Sequence, residues 1–377
     1  MKKEFRLYFT ETKNCMKLIP RGFFVCILVS VTGCRHTAST ETRTIAAEDF
    51  LVHPVFASDP VNHDTDDPAI WINPADHSKS LIIGTDKGGD TGDGGLFIFN
   101  LAGKLIDSVR PLSRPNNVDV AYGLIINGKP VDVAVCTERL SKSLRVFTLP
   151  DLTPVDHGGI PVFTDEIDSL RDPMGIALYT NPTDGKIYAI VGRKTGPTDG
   201  SYLWQYLLEE DGQGNVKGTL VRKFGFYSGK KEIESIAVDN ELGFVYHADE
   251  LHGIHKSYAH PDSSNVELAL FGTKDFKEDI EGISIYKSPG NTGYLLVSDQ
   301  QANKFNIYAR AGWSGRPHDH ALISSFNAST VESDGNEVTS SPLPGFPNGL
   351  FVAMSDDRTF QFYRWEAIAG DSLHIRE

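Results

Sequence analysis

Three observations predict an all-β chain folded as a six-bladed β-propeller with four-stranded antiparallel blades. Short β-like runs fill the sequence, they recur in groups every ~50–65 residues, and the last group holds only two runs. A ring short of strands at its C-terminal end is closed by a strand from its N-terminus. Phe50-Leu51-Val52 is the natural candidate. Pairing the two chain ends in one sheet hides edges that would otherwise recruit foreign strands.

The groups run in order along the chain. The first holds Ala69–Ile72, Ser80–Ile83, Leu96–Phe99 and Lys104–Ile106, and the second Val118–Val120, Val131–Val135 and Leu144–Phe147. The third holds Gly175–Tyr179, Ile187–Ile190, Tyr202–Trp204 and Leu220–Val221. The fourth holds Ser235–Val238, Phe244–Tyr246, Ile254–Lys256 and Leu268–Leu270, and the fifth Gly282–Ile285, Tyr294–Val297, Phe305–Tyr308 and Leu322–Ile323. The last has Gly349–Ala353 and Phe360–Tyr363. Seven blades would leave too few strands per sheet, and a pair of β-sandwiches is the rival architecture.

A chain of 377 residues, 40% apolar and 23% charged, is long enough to bury such a core and too apolar for general disorder. Three of its four cysteines, Cys15, Cys26 and Cys34, precede the predicted domain, so Cys136 has no partner inside it. Cys136 reads as a small apolar filler on a strand. Lys142 stands where a cysteine phosphatase needs Arg.

Residues 1–33 read as a lipoprotein signal peptide: a basic start, the apolar run Phe23–Val31, then Val31-Thr32-Gly33-Cys34. The run is far shorter than the ~20 residues that span a bilayer. The last four resemble a lipobox, with Cys34 the lipidated first residue of the mature chain. Residues 34–48 read as a flexible tether and 49–377 as one propeller domain. The expectation is an exported, lipid-anchored envelope protein that touches membrane only through its lipid, with a monomer as the default.

Without the first 33 residues the chain has 30 basic and 48 acidic residues, a formal charge of −18. That surface excludes nucleic acid as a partner. It also repels polyanionic substrates unless cations lie between.

There is no Gly-x-Ser-x-Gly elbow, no His-Glu-x-x-His, no phosphate loop and no Arg-His-Gly opening. Acidic turns beside strand ends remain: Asp64 to Asp67, Glu234, Asp249-Glu250, Glu278-Asp279-Ile280-Glu281 and Ser333-Asp334-Gly335. In extended backbone Asp279 and Glu281 face one side. Equivalent placement in successive blades brings such groups to one end of a central channel. Hard oxygen ligands on irregular loops suit calcium. The loop Gly88–Gly95 offers Asp90 and Asp93 for a further ion or a plain flexible turn. His247, His252, His255 and His260 have no zinc-site spacing and read as loop or satisfied histidines.

Asp66-Asp67-Pro68-Ala69-Ile70-Trp71, Asn116-Asn117-Val118-Asp119-Val120 and Asp279-Ile280-Glu281-Gly282, in this order, resemble the motifs of the β-propeller phytases. The similarity runs from about Asn62 to the C-terminus. It implies calcium-dependent hydrolysis of phosphate monoesters, phytate above all, of the 3-phytase type. Several calcium ions would hold two neighbouring phosphates and activate water. The resemblance places calcium ligands at Asp66, Asp67, Glu234, Glu250, Asp279, Glu281 and Asp334. It places phosphate-binding cations at Lys87, Arg139 and Lys194, and catalysis on those three with Glu234, Asp279 and Glu281. Gly88, Met174 and Thr195 depart from the family pattern, in which a Lys, a Tyr and a carboxylate are common. Two other readings share the architecture: a calcium lactonase or sugar-acid hydrolase, and a non-catalytic surface propeller that binds glycan or protein.

Overall fold

The computed structural model describes residues 51–89, 92–313 and 315–373. The signal peptide, the tether, Cys34, Phe50 and Asp90 lie outside them. Within the unit from Ala46 to Glu377 the described strands form six sheets.

Blade 1 comprises Thr65–Trp71, Leu81–Asp86, Gly94–Asn100 and Leu105–Leu112; blade 2 comprises Pro115–Ile126, Lys129–Glu138, Ser143–Thr148 and Ile160–Pro161. Blade 3 comprises Pro173–Thr180, Ile187–Arg193, Leu203–Glu210 and Val216–Phe224; blade 4 comprises Ile236–Asp239, Phe244–Asp249, Gly253–Tyr258 and Ala269–Phe271. Blade 5 comprises Ile280–Ser288, Thr292–Asp299, Lys304–Ala309 and Leu322–Ala328. Blade 6 takes Asn336–Thr339, Leu350–Ser355 and Thr359–Arg364 from the C-terminal part, and Phe56–Ala57 as its outer strand.

The ring therefore closes through the N-terminal segment, but at Phe56–Ala57, just after the stretch the sequence suggests. Leu51–Val52 instead runs parallel to the outer strand of blade 5, with Leu51 opposite Asn327. Blade 6 also has an inner strand, Asn336–Thr339, that the apolar runs do not reveal.

Each blade is buried on both faces, which is why its strands read as unbroken apolar runs. In blade 1, Ile83, Leu96 and Ile98 pack toward blade 2, whereas Ile82, Phe97 and Phe99 pack toward blade 6. The described core divides in this way into six apolar layers, one between each pair of neighbouring blades. Cys136 lies in the layer between blades 1 and 2, fully buried, and burial pushes its thiol well up. It is a core filler. Trp71 joins the same layer and donates its indole N–H to Asp132 Oδ2 at 2.9 Å. The last turn of chain, Trp365–Ala369, seals the layer between blades 5 and 6, with the Trp365 ring stacked 3.7 Å from Tyr286.

The six inner strands enclose a channel of about 720 Å³. No helix among the described residues is long and apolar enough to cross a membrane.

Candidate metal and phosphate site

The inner strands all begin at the same end of the channel, and there the ladder breaks in a repeating way. Register shifts fall between Thr65 and Pro68, Pro115 and Val118, Pro173 and Ile176, and Ile280 and Ile283. Regular pleating sends consecutive residues to opposite faces, whereas a bulge re-aims them. The bulged pairs are Asp66-Asp67, Asn116-Asn117, Met174-Gly175 and Glu281-Gly282. Neighbouring blades also approach closely here. A Cβ on Gly335 would lie 2.5 Å from the Asp66 carbonyl, and one on Gly175 would lie 2.1 Å from that of Glu234.

A second repeat supplies the rest of the mouth. Second strands end at Asp86, Glu138, Arg193, Asp249 and Asp299, and the residues that follow are Lys87, Arg139, Lys194, Glu250 and Gln300. Four of the terminal residues are buried acids that tie down the loop entering their own blade. Asp86 accepts the amides of Asn62, His63 and Asp64; Glu138 accepts Ser113, Asp249 accepts Ser228 and Asp299 accepts Lys277.

These two repeats gather an arc of carboxylates. Lys87 Nζ lies 2.7 Å from Asp334 Oδ2 and 3.2 Å from Asp66 Oδ1. Asn116 Nδ2 donates to Asp66 Oδ2 at 2.9 Å and to Glu234 Oε1 at 3.3 Å. Glu232, Glu234 and Glu250 offer oxygens within 4.8 Å of one another, and so do Glu250, Asp279 and Glu281. Asp67 stands just inside the channel, where Oδ2 accepts the Val118 amide at 3.1 Å.

The charges strain against burial. Burial first, then Asp66, raises the Glu234 carboxyl well above its usual range; burial first, then Glu234, Glu250 and Asp334, does so for Glu281. Glu250 is pushed up to about 8 and Asp334 to about 6, mainly by burial and against the pull of Lys231 and Lys87 respectively. Asp67 is raised as well, again by burial. Burial disfavours the Lys87 charge, but Asp66, Asp334 and Glu234 more than offset it and hold the lysine protonated.

The donor set fits divalent cations with a preference for oxygen. Buried Asn116 Oδ1, Asn117 Oδ1, Glu250 Oε1 and Glu281 Oε2 have no hydrogen-bond partner, although such orphans are rare in folded proteins. A cation among them satisfies the orphans and relieves the carboxylate repulsion together.

All the expected ligands and cations thus lie at one mouth. Lys194 is half-exposed at the rim, 3.2 Å from Glu232. Arg139 is buried, with a guanidinium NH2 against the Met174 sulfur and its Nε unpartnered. Met174 therefore stands beside the arginine expected to meet phosphate. Gly88 has φ +71° and room for no Cβ, which would sit 2.3 Å from the Gly94 amide nitrogen. The loop after Lys87 is thus built for glycine. Asp93 accepts the Gly89 amide at 2.9 Å and lies 3.3 Å from His63.

Sequence reasoning missed four participants. Lys231 bridges Glu250 at 2.6 Å and Asp279 at 2.7 Å. Gln301 Nε2 donates to Asp279 Oδ2 at 2.6 Å, Gln300 donates to Asp334, and Glu232 shares the first acidic group. Gln300 had a readable signal in its position after the second strand. The histidines also gather more than their spacing suggests: Asp249, His252 and His255 offer ligand atoms within 4.8 Å of one another.

The family model described as Phytase matches residues 23–370. A 3-phytase of Bacillus subtilis (strain 168) is 30% identical over 352 residues, covering 88% of this chain and 84% of the relative. Among solved structures, the Dos1 propeller aligns at 14% identity and TM-score 0.41, over 83% of this chain and 70% of that one. That likeness is too loose to bear on the assignment.

Proposed function

The chain belongs to the phytase family, a group of phosphoric monoester hydrolases, and on that premise we propose that it hydrolyses phytate by calcium-dependent chemistry, releasing phosphate and lower inositol phosphates. One observation carries the reading. A buried carboxylate arc with unpartnered oxygens lies beside Lys87, Arg139 and Lys194 at a single channel mouth.

In this reading Asp66, Asp67, Glu234, Glu250, Asp279, Glu281 and Asp334 hold calcium. Bound calcium supplies charge for phosphate oxygens and a more acidic water. The chain's own groups do the rest. Lys87 is fixed by Asp66 and Asp334 and presents a point charge, and Arg139 presents a planar fork suited to two phosphate oxygens. Lys194, at the rim, reaches a second phosphate of the same ring. Gln300, Gln301 and Asn116 hold the carboxylates in place by donating to them. An acidic mouth thereby accepts a polyanion, because cations stand between them.

Export and anchoring through Cys34 complete the proposal and place the enzyme where calcium is available. The test is phosphate release from phytate with and without a calcium chelator. Activity that survives complete chelation refutes calcium dependence, and release from simple phosphate esters but not phytate refutes the substrate.

A further inference from the structure

We propose that the hairpin turn of blade 4 carries a second kind of metal site, formed by Asp249, His252 and His255 and suited to zinc or a neighbouring transition metal. Strand pairing sets Asp249 opposite Gly253 and His247 opposite His255, so the turn folds the three ligands onto one spot. Asp249 and His255 are buried, and His252 lies half-exposed on the turn.

The spacing is that of ligands around an ion. His255 Nε2 lies 3.2 Å from Asp249 Oδ2. Two ligand atoms at zinc-bond length from a tetrahedral centre are about 3.3 Å apart. A ring nitrogen of His252 completes the triangle within 4.8 Å of both. Two imidazoles with one carboxylate favour zinc, copper or nickel over calcium, which prefers oxygen throughout.

The surroundings are built as metal sites require. Glu267 Oε2 lies 2.5 Å from Nδ1 of His255, a carboxylate placed to hold that ring while Nε2 faces Asp249. Ser228 orients Asp249 through its amide at 2.6 Å and its hydroxyl at 2.8 Å. The His247 ring stacks on His255 at 4.7 Å and 15°, which locks the ring plane, and its own buried Nδ1 has no partner. The ammonium of exposed Lys230 lies 3.2 Å from His252 Nδ1 and donates to the Leu251 carbonyl at 3.0 Å, so a cation already stands beside this ligand. Of the buried acids that end second strands, Asp249 alone among the described residues has two histidines beside it.

The test is a Co²⁺ titration of the full chain in saturating calcium, which keeps oxygen-rich sites filled, read by visible absorption and repeated as competition with Zn²⁺. The expected result is one equivalent of Co²⁺ with enhanced d–d bands, displaced by zinc. His255→Gln and His252→Ala should each weaken uptake at least 100-fold, and Glu267→Gln about tenfold. His252→Ala decides the matter, since a half-exposed turn residue is removed without disturbing the core. Absence of cobalt uptake, or uptake changed less than tenfold by His252→Ala, overturns the proposal. Phytate hydrolysis plays no part in the readout.

Discussion

Replacing Glu250 by Gln should reverse sign between the metal-free and calcium-loaded protein. In the metal-free chain burial first, against the pull of Lys231, moves the Glu250 carboxyl from 4.5 to about 8. A carboxyl raised in the folded state favours folding fully below its unfolded value, near 4.5. That contribution is lost as pH rises through about 8. A shift of this size corresponds to about 5 kcal/mol, and incomplete burial of the charge during titration brings a realistic range of about 2–4 kcal/mol. For a domain this large that is roughly 3–6 °C in melting temperature. Thermal unfolding in chelator, compared at about pH 5 and pH 9, should show the wild type losing that much more stability than Glu250→Gln. Glu234 steepens both curves, whereas Glu281 is raised in part by Glu250, so the difference reads Glu250 together with its hold on Glu281. In millimolar calcium the wild type should be the more stable protein, because the variant lacks a ligand oxygen. Parallel pH curves in chelator, or equal stabilisation by calcium, would refute the argument.

Asp279→Ala and Glu281→Ala should each lower phosphate release from phytate at least ~100-fold, while the melting temperature in chelator stays level or rises. Gly335→Ala forces a Cβ to 2.5 Å from the Asp66 carbonyl, so it should cost about 1–3 kcal/mol and weaken calcium binding by calorimetry. Asp86→Asn replaces an oxygen that accepts amides with a group that donates, leaving two of Asn62, His63, Asp64 and Gly88 unsatisfied. The expected loss is about 1–3 kcal/mol, with faster hydrogen exchange confined to residues 62–64 and 88.

The blades were legible because both faces of their middle strands are buried. Ile82 and Ile83 serve different interblade layers, yet together they read as one apolar run. Asn336–Thr339 was illegible for the opposite reason: it is an Asn-Glu-Val-Thr strand whose polar side chains belong to the channel. The closing strand was misplaced because Leu51-Val52 is apolar enough to pair, but does so in parallel with blade 5. Asp66, Glu234 and Asp279 were readable as acids next to strand starts. Lys231 and Glu232 sit in an irregular loop, where no periodicity marks a residue. Asp249 and His255 meet through hairpin pairing, and a search for helical or zinc-finger spacing does not anticipate that geometry. Gln300 was passed over because an amide carries no charge to notice, although its place after the second strand matches that of Lys87.

The ion pair between Lys87 and Asp334 joins positions 247 residues apart, across the first and last blades. Ribosomes deliver the chain from its N-terminus. Asp334, the last of the seven carboxylates proposed as ligands, therefore arrives only when nearly the whole polypeptide has been made. Contacts so distant in sequence form late, because the intervening loop must first be closed. On the proposed reading, ion capture would double as a completeness check, because a truncated or stalled chain lacks Asp334 and its pair with Lys87. Such a fragment carries most of the acids but not the contact that joins the first blade to the last.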